Sequence, residues 1–157
     1  MKKIFLFIIA LSLISALPAT SQTVSDRDKF KLWNGCKPVS LIVEDLSEDA
    51  HKIDLKKEDI AVTVRSRLRG ARIYTDDAYI IPYVYVVVSV VGQAFSIHLE
   101  MNKFVYDPLS RQSGIASTWP SGGTGTNADD PGYILSAVAG YTDKFIDEYL
   151  RVNASAC

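Results

Sequence analysis

The sequence predicts one exported α+β domain, a two-layer sandwich whose five-stranded mixed sheet carries two helices on one face in the order β-α-β-β-β-β-α. Three observations predict it. Residues 1–21 have the pattern of a secretory leader. Two later segments repeat their apolar residues at helical spacing, and a β-branched, aromatic run and a segment alternating apolar and polar residues flank a two-residue turn.

In the leader, Lys2 and Lys3 precede the apolar run Ile4–Leu17, and Ala19-Thr20-Ser21 supplies small residues for a cut before Gln22. That run falls short of the roughly 18–20 residues that cross a bilayer, so no transmembrane segment is expected after cleavage. Residues 22–38 are polar and turn-rich and read as a lead-in docked by Phe30, Leu32 and Trp33; residues 39–157 read as a single domain. Val39–Asp45 is a strand, with Val39, Leu41 and Val43 on one face and Ile42 on the other, which suggests burial on both sides.

After the charged connection Ser47–Asp54, a helix is expected over Lys56–Gly70 with Asp54 as its N-cap, because Ile60, Val64 and Leu68 recur every four residues. Gly70 stops it, and Ala71–Thr75 begins a second strand. Tyr83–Val91 is β-branched or aromatic at nearly every position and is the strongest strand of the chain. Gly92-Gln93 turns it into Ala94–Tyr106, where Phe95, Ile97, Leu99 and Met101 alternate with Ser96, His98, Glu100 and Asn102: one face core, the other wet. A last strand is expected over Gln112–Trp119. The final helix opens at Asp130-Pro131, cap and first-turn proline, and runs to Val152 with Ile134, Val138, Tyr141, Phe145 and Tyr149 along its core stripe.

Charge and cysteines narrow the function classes. Removing Lys2 and Lys3 from 17 basic residues leaves 15 against 18 acidic ones, a net charge of −3, which offers nucleic acid no attraction. Two cysteines, Cys36 and Cys157, form an even pair, and in an exported chain the simplest expectation is a disulfide; two separate thiols is the competing reading. Neither lies in a C-x-x-C motif. A structural zinc site would need His51, His98 or carboxylates besides, so neither metal nor cofactor is expected. The expected location is periplasmic or secreted.

The stretch PVSLIVEDLSEDAHKIDLKKEDIAVTVRSRLRGARIYTDD, residues 38–77, resembles the opening β-α-β unit of small envelope domains of Gram-negative bacteria. These include the N-terminal domain of the TolB translocation protein and the lipoprotein activators of penicillin-binding proteins. The resemblance implies a non-catalytic domain that docks other proteins.

Candidate sites follow from residue type and spacing. Tyr83 and Tyr85 share the face opposite Val84 and Val86; with Tyr79, Tyr106 and Trp119 they offer aromatic surface for a sugar ring or a partner protein, or else stiffen the sheet beneath the lead-in. His98 and Glu100 lie two residues apart on the wet face of their strand. With the glycine-rich loop 118–130 they could serve a small hydrolase, the alternative to a binding domain, although no nucleophile with a recognisable elbow accompanies them. Gly123–Ala128 matches a dinucleotide fingerprint only nominally, because Asp129 and Asp130 at the helix start would repel a phosphate. Asn127, Asp129 and Asp130 offer oxygen ligands for calcium without EF-hand spacing. Arg65, Arg69 and Arg72 recur at i, i+4, i+7 as a ridge for an anionic envelope polymer or an acidic protein, or as a solvated helix face. Asn153-Ala154-Ser155 spells a glycosylation sequon.

Overall fold

The computed structural model describes residues 23–77, 81–126 and 128–157. The leader Met1–Ser21, Tyr79 and Asn127 lie outside the described residues. The element order is α1 (Asp26–Leu32), β1 (Ser40–Val43), α2 (Glu48–Lys52), α3 (Lys57–Gly70), β2 (Tyr83–Val91), β3 (Ala94–Asp107), β4 (Gln112–Thr126) and α4 (Pro131–Asn153). The α+β class holds. Among the described residues, four strands form the sheet rather than five, and four helices stand where two were expected.

The sheet order is β1-β2-β3-β4, with β1 parallel to β2 and the other neighbours antiparallel. The strand expected at Ala71–Thr75 reduces to one parallel bridge, Val39 opposite Tyr74. Arg72, at φ 61°, interrupts the extended backbone, so the segment only borders the edge of β1 through Val39 N–H to Ile73 O and Thr75 N–H to Val39 O. Gly92, at φ 57°, takes the first position of the tight turn between β2 and β3.

Alternation divides the sheet into two faces. Val84, Val86, Val88 and Val90 of β2 join Phe95, Ile97, Leu99 and Met101 of β3 on the core face. There they meet Ile60, Val64 and Leu68 of α3 and Ile134, Val138, Phe145 and Tyr149 of α4. Val43 of β1 and Val39 just before it are buried in the core, but Ile42 is exposed on the opposite face, so the expected burial at that position is absent. The reason is that no described helix covers that second face. Nor does Asp54 cap α3: it sits at φ 59°, and the cap position belongs to Lys56, which makes no side-chain capping bond.

The lead-in is also more ordered than its polarity suggests. Ser25 caps α1 by accepting from Asp28 N–H, and of the three side chains expected to dock the lead-in only Leu32 is buried; Phe30 and Trp33 are exposed. Polar hooks hold α1 instead. Thr118, left unopposed by a bulge where Met101 pairs Trp119 and Asn102 pairs Ser117, donates its hydroxyl to Lys31 O at 2.7 Å. Lys103 Nζ donates to Phe30 O at 2.6 Å and Trp33 O at 3.1 Å, a cation at the negative end of the helix. Burial pulls this lysine below its ordinary pKa.

Candidate functional site

The outer face of the sheet collects four of the sequence-derived candidates. Strand register places Tyr85 opposite Glu100, Tyr83 opposite Asn102 and Val87 opposite His98. The Tyr85 hydroxyl donates to the Glu44 carboxylate, which fixes the ring against the sheet. His98 Nε2 lies 2.5 Å from Glu100 Oε1, and the imidazole is half exposed. The pair is what two side chains at i and i+2 on one strand face produce when both are long enough to meet.

This face continues where the core ends. Beyond Asn102, β3 and β4 extend as a two-stranded arm in which Phe104 pairs with Ile115 and Tyr106 with Ser113. Phe104 is 63% exposed, Tyr106 61%, and Leu109 at the tip 94%. The expected strands Ala94–Tyr106 and Gln112–Trp119 contain both sides of the arm, and Tyr106 is among the aromatic candidates, whereas Phe104, Leu109 and Ile115 are not. The available signal was the alternation of β3 running on through Phe104 and Tyr106 after the helices had no residues left to cover it. Trp119 belongs elsewhere: it is buried on the core face, with its Nε1 donating to Glu148 Oε2 at 2.7 Å and its ring edge-on to Phe145. Helix α1 of the lead-in packs on α4 and β4.

The glycine stretch is not a loop. Residues through Thr126 continue β4, and each glycine has a local steric reason. A Cβ on Gly122 would strike the Ile97 carbonyl oxygen, one on Gly123 the Tyr141 hydroxyl, and one on Gly125 the Phe95 ring at 2.6 Å. Gly123 therefore lets Tyr141 of α4 approach the sheet, while Gly122 and Gly125 make room for Ile97 and Phe95 of the neighbouring β3. Asp130 accepts from Gly132 N–H at 2.9 Å and Tyr133 N–H at 3.2 Å, so one of the two aspartates works as the helix cap. Gly122 does pair with His98, which brings the two parts of the hydrolase reading together, but on a strand surface. Two described hollows lie elsewhere. One of about 820 Å³ is bordered by Val24, Trp33, Arg151 and Val152, and another of about 240 Å³ by Trp33, Ile81, Lys103 and Phe104.

Arg65, Arg67 and Arg69 are on α3, and carboxylates meet all three. Arg65 lies 3.5 Å from Glu58, Arg67 Nε 3.0 Å from Asp143, and Arg69 makes a forked contact with both oxygens of Asp76 at 3.0 and 2.9 Å while stacking over Tyr74. The Arg69 guanidinium, first among several causes, holds Asp76 below the usual carboxylate range. Arg72 is exposed just past the end of the helix, with a left-handed backbone.

Cys36 and Cys157 are bonded, with Cα atoms 5.2 Å apart across a separation of 121 residues. Next to the bond, Asn153 is fully buried; its Oδ1 accepts from Asn34 N–H and Cys36 N–H, and its Nδ2 donates to Leu32 O and Tyr149 O. An amide with all four hydrogen-bonding positions filled and no exposure cannot receive a glycan. No helix among the described residues is long and apolar enough to cross a membrane, and no group of three or more metal-ligating side chains occurs among them. No protein-family model matches the chain, and neither does any curated protein.

Proposed function

We propose that the chain is an exported protein of a bacterial envelope, periplasmic or secreted, that loses residues 1–21 and acts as a non-enzymatic binding or assembly domain. The observation that carries this reading is the outer sheet face. It runs from Ile42, Tyr83 and Tyr85 through His98 and Glu100 to Phe104, Tyr106 and Ile115, with no described helix over it. Aromatic and aliphatic side chains beside a few carboxylates suit a protein surface better than an anionic polymer. Of the arginine ridge, which would suit the polymer, Arg65 and Arg69 already face Glu58 and Asp76. The disulfide supports an oxidising compartment.

Capture from envelope extract tests the reading. Mature protein is compared with one variant carrying Phe104→Ser, Tyr106→Ser and Ile115→Ser, and another carrying Arg65→Ala, Arg69→Ala and Arg72→Ala. A specific partner lost only in the first variant supports the sheet face. A partner lost only in the second moves the function to α3, and hydrolysis that disappears with His98→Ala would replace binding by catalysis.

A further inference from the structure

We propose that Asn153 aligns Cys36 with Cys157 before they are oxidised, so that the disulfide closes a junction the fold has already built. Asn153 is hydrogen-bonded to the backbone of both cysteines. Its side-chain Oδ1 accepts the Cys36 N–H at 3.2 Å, and its main-chain carbonyl accepts the Cys157 N–H at 3.0 Å. One buried residue thus fixes two chain segments that are 121 positions apart in sequence.

The surroundings give the junction its rigidity without sulfur. Gly35 and Cys36 adopt successive positive φ angles, 71° and 59°, a turn that costs a non-glycine residue energy unless other contacts hold it. Oδ1 supplies them by also accepting Asn34 N–H at 3.1 Å, while Nδ2 is anchored to Leu32 O at 3.0 Å and Tyr149 O at 2.9 Å. One turn earlier in α4, the Tyr149 hydroxyl lies 2.5 Å from Asn34 Oδ1 and 2.7 Å from Lys37 O. None of the partners in this set is a sulfur atom. Held in place, the two thiols react at the high effective concentration of an oriented intramolecular pair.

The reaction balances with a small disulfide as oxidant. One protein thiolate attacks glutathione disulfide and releases one glutathione thiolate, leaving a mixed disulfide. The second protein thiolate attacks the protein sulfur of that bond and expels the other. Two protein thiols are oxidised and two glutathiones leave reduced.

The test equilibrates mature protein with mixtures of glutathione and glutathione disulfide, then counts free thiols by alkylation and mass spectrometry. Asn153→Ala is expected to lower the equilibrium constant for the Cys36–Cys157 bond tenfold or more in buffer and to leave it unchanged in concentrated urea. Ile97→Val, a core truncation away from the junction, is expected to leave it unchanged in both. Equal constants for Asn153→Ala and wild type in buffer overturn the proposal. A second measurement does not depend on that variant folding. In the thiol-free chain Cys36→Ser/Cys157→Ser, the amides of Asn34 and residue 36 should stay protected from hydrogen exchange. Unprotected amides, or a thiol-free chain that does not fold, would mean that sulfur builds the junction and Asn153 follows.

Discussion

Gly123 of β4 lies beneath the Tyr141 hydroxyl of α4, so close that an added Cβ would strike the oxygen. Helix and strand meet closely here, and at Gly125 the Phe95 ring of the neighbouring strand β3 takes the space a Cβ would need. The glycines of this chain therefore separate into those the packing requires and those it does not.

Alanine scanning of the glycines checks this by urea denaturation. Gly122→Ala is expected to be the most damaging, because its Cβ meets the Ile97 backbone oxygen, which cannot swing aside. Gly123→Ala meets the end of a tyrosine side chain and should cost less, within the roughly 1–3 kcal/mol of an overpacked site. Gly140→Ala should do the opposite: it sits inside α4 with open space around its Cβ position, so it gains about 1 kcal/mol of helix propensity. A Gly122→Ala protein as stable as wild type would refute the steric account.

The same glycines mark where sequence and structure part. Long periodic elements were legible: β2 keeps the boundaries its β-branched run dictates, α3 and α4 differ by a residue or so, and Asp130-Pro131 opens α4. Gly122, Gly123 and Gly125 read as a loop because strand propensity is local, whereas their reason is the approach of Tyr141 and Phe95 from distant segments. Helix α1 was illegible for a similar cause. Its stripe contributes one buried residue, Leu32, and its attachments come from Thr118, Lys103 and Asn153, all far along the chain. For the candidate site, alternation sufficed to place Tyr83, Tyr85, His98 and Glu100 on one face; nothing local told that Arg65 and Arg69 would meet Glu58 and Asp76.

Tyr149 sets a limit at alkaline pH. Burial, partly offset by the hydrogen bond with Asn34, pushes its hydroxyl up to about 12 from an ordinary value of 10.0. An acid whose pKa is raised by folding adds stability that is complete below the unfolded value and disappears as pH climbs through the folded one. Stability should thus fall between about pH 10 and 12. Tyr149→Phe, although less stable at neutral pH, should show a shallower decline over that interval. Ultraviolet titration of tyrosinate alongside unfolding measurements checks this, and an unchanged slope in the variant would exclude Tyr149 as the source.

The arginine ridge should matter little to stability. Arg69 and Asp76 form a well-aligned fork, but both are largely exposed, and exposed pairs contribute from about 0 to 1 kcal/mol. Arg69→Ala should fall in that range, and its effect should shrink in high salt, where screening removes most of the attraction. A loss of several kcal/mol that persists in salt would point to packing of the guanidinium on Tyr74 as the dominant contact.

Glu148 is expected to be far more costly to remove than its charge suggests. Trp119 is buried at the bulge end of β4, and its indole N–H donates to Glu148 Oε2 at 2.7 Å. Glu148→Ala leaves that donor buried without its acceptor, which costs about 1–3 kcal/mol. Glu148→Gln keeps an oxygen in place and should recover most of the loss, since the indole needs an acceptor and not a charge. Trp33→Phe removes the other, exposed tryptophan, so fluorescence then reports Trp119 alone. In that background, urea unfolding of the two Glu148 variants separates the explanations. Equal losses for Ala and Gln would make the charge decisive, whereas recovery by Gln would assign the effect to the hydrogen bond that fastens α4 to β4 through Trp119.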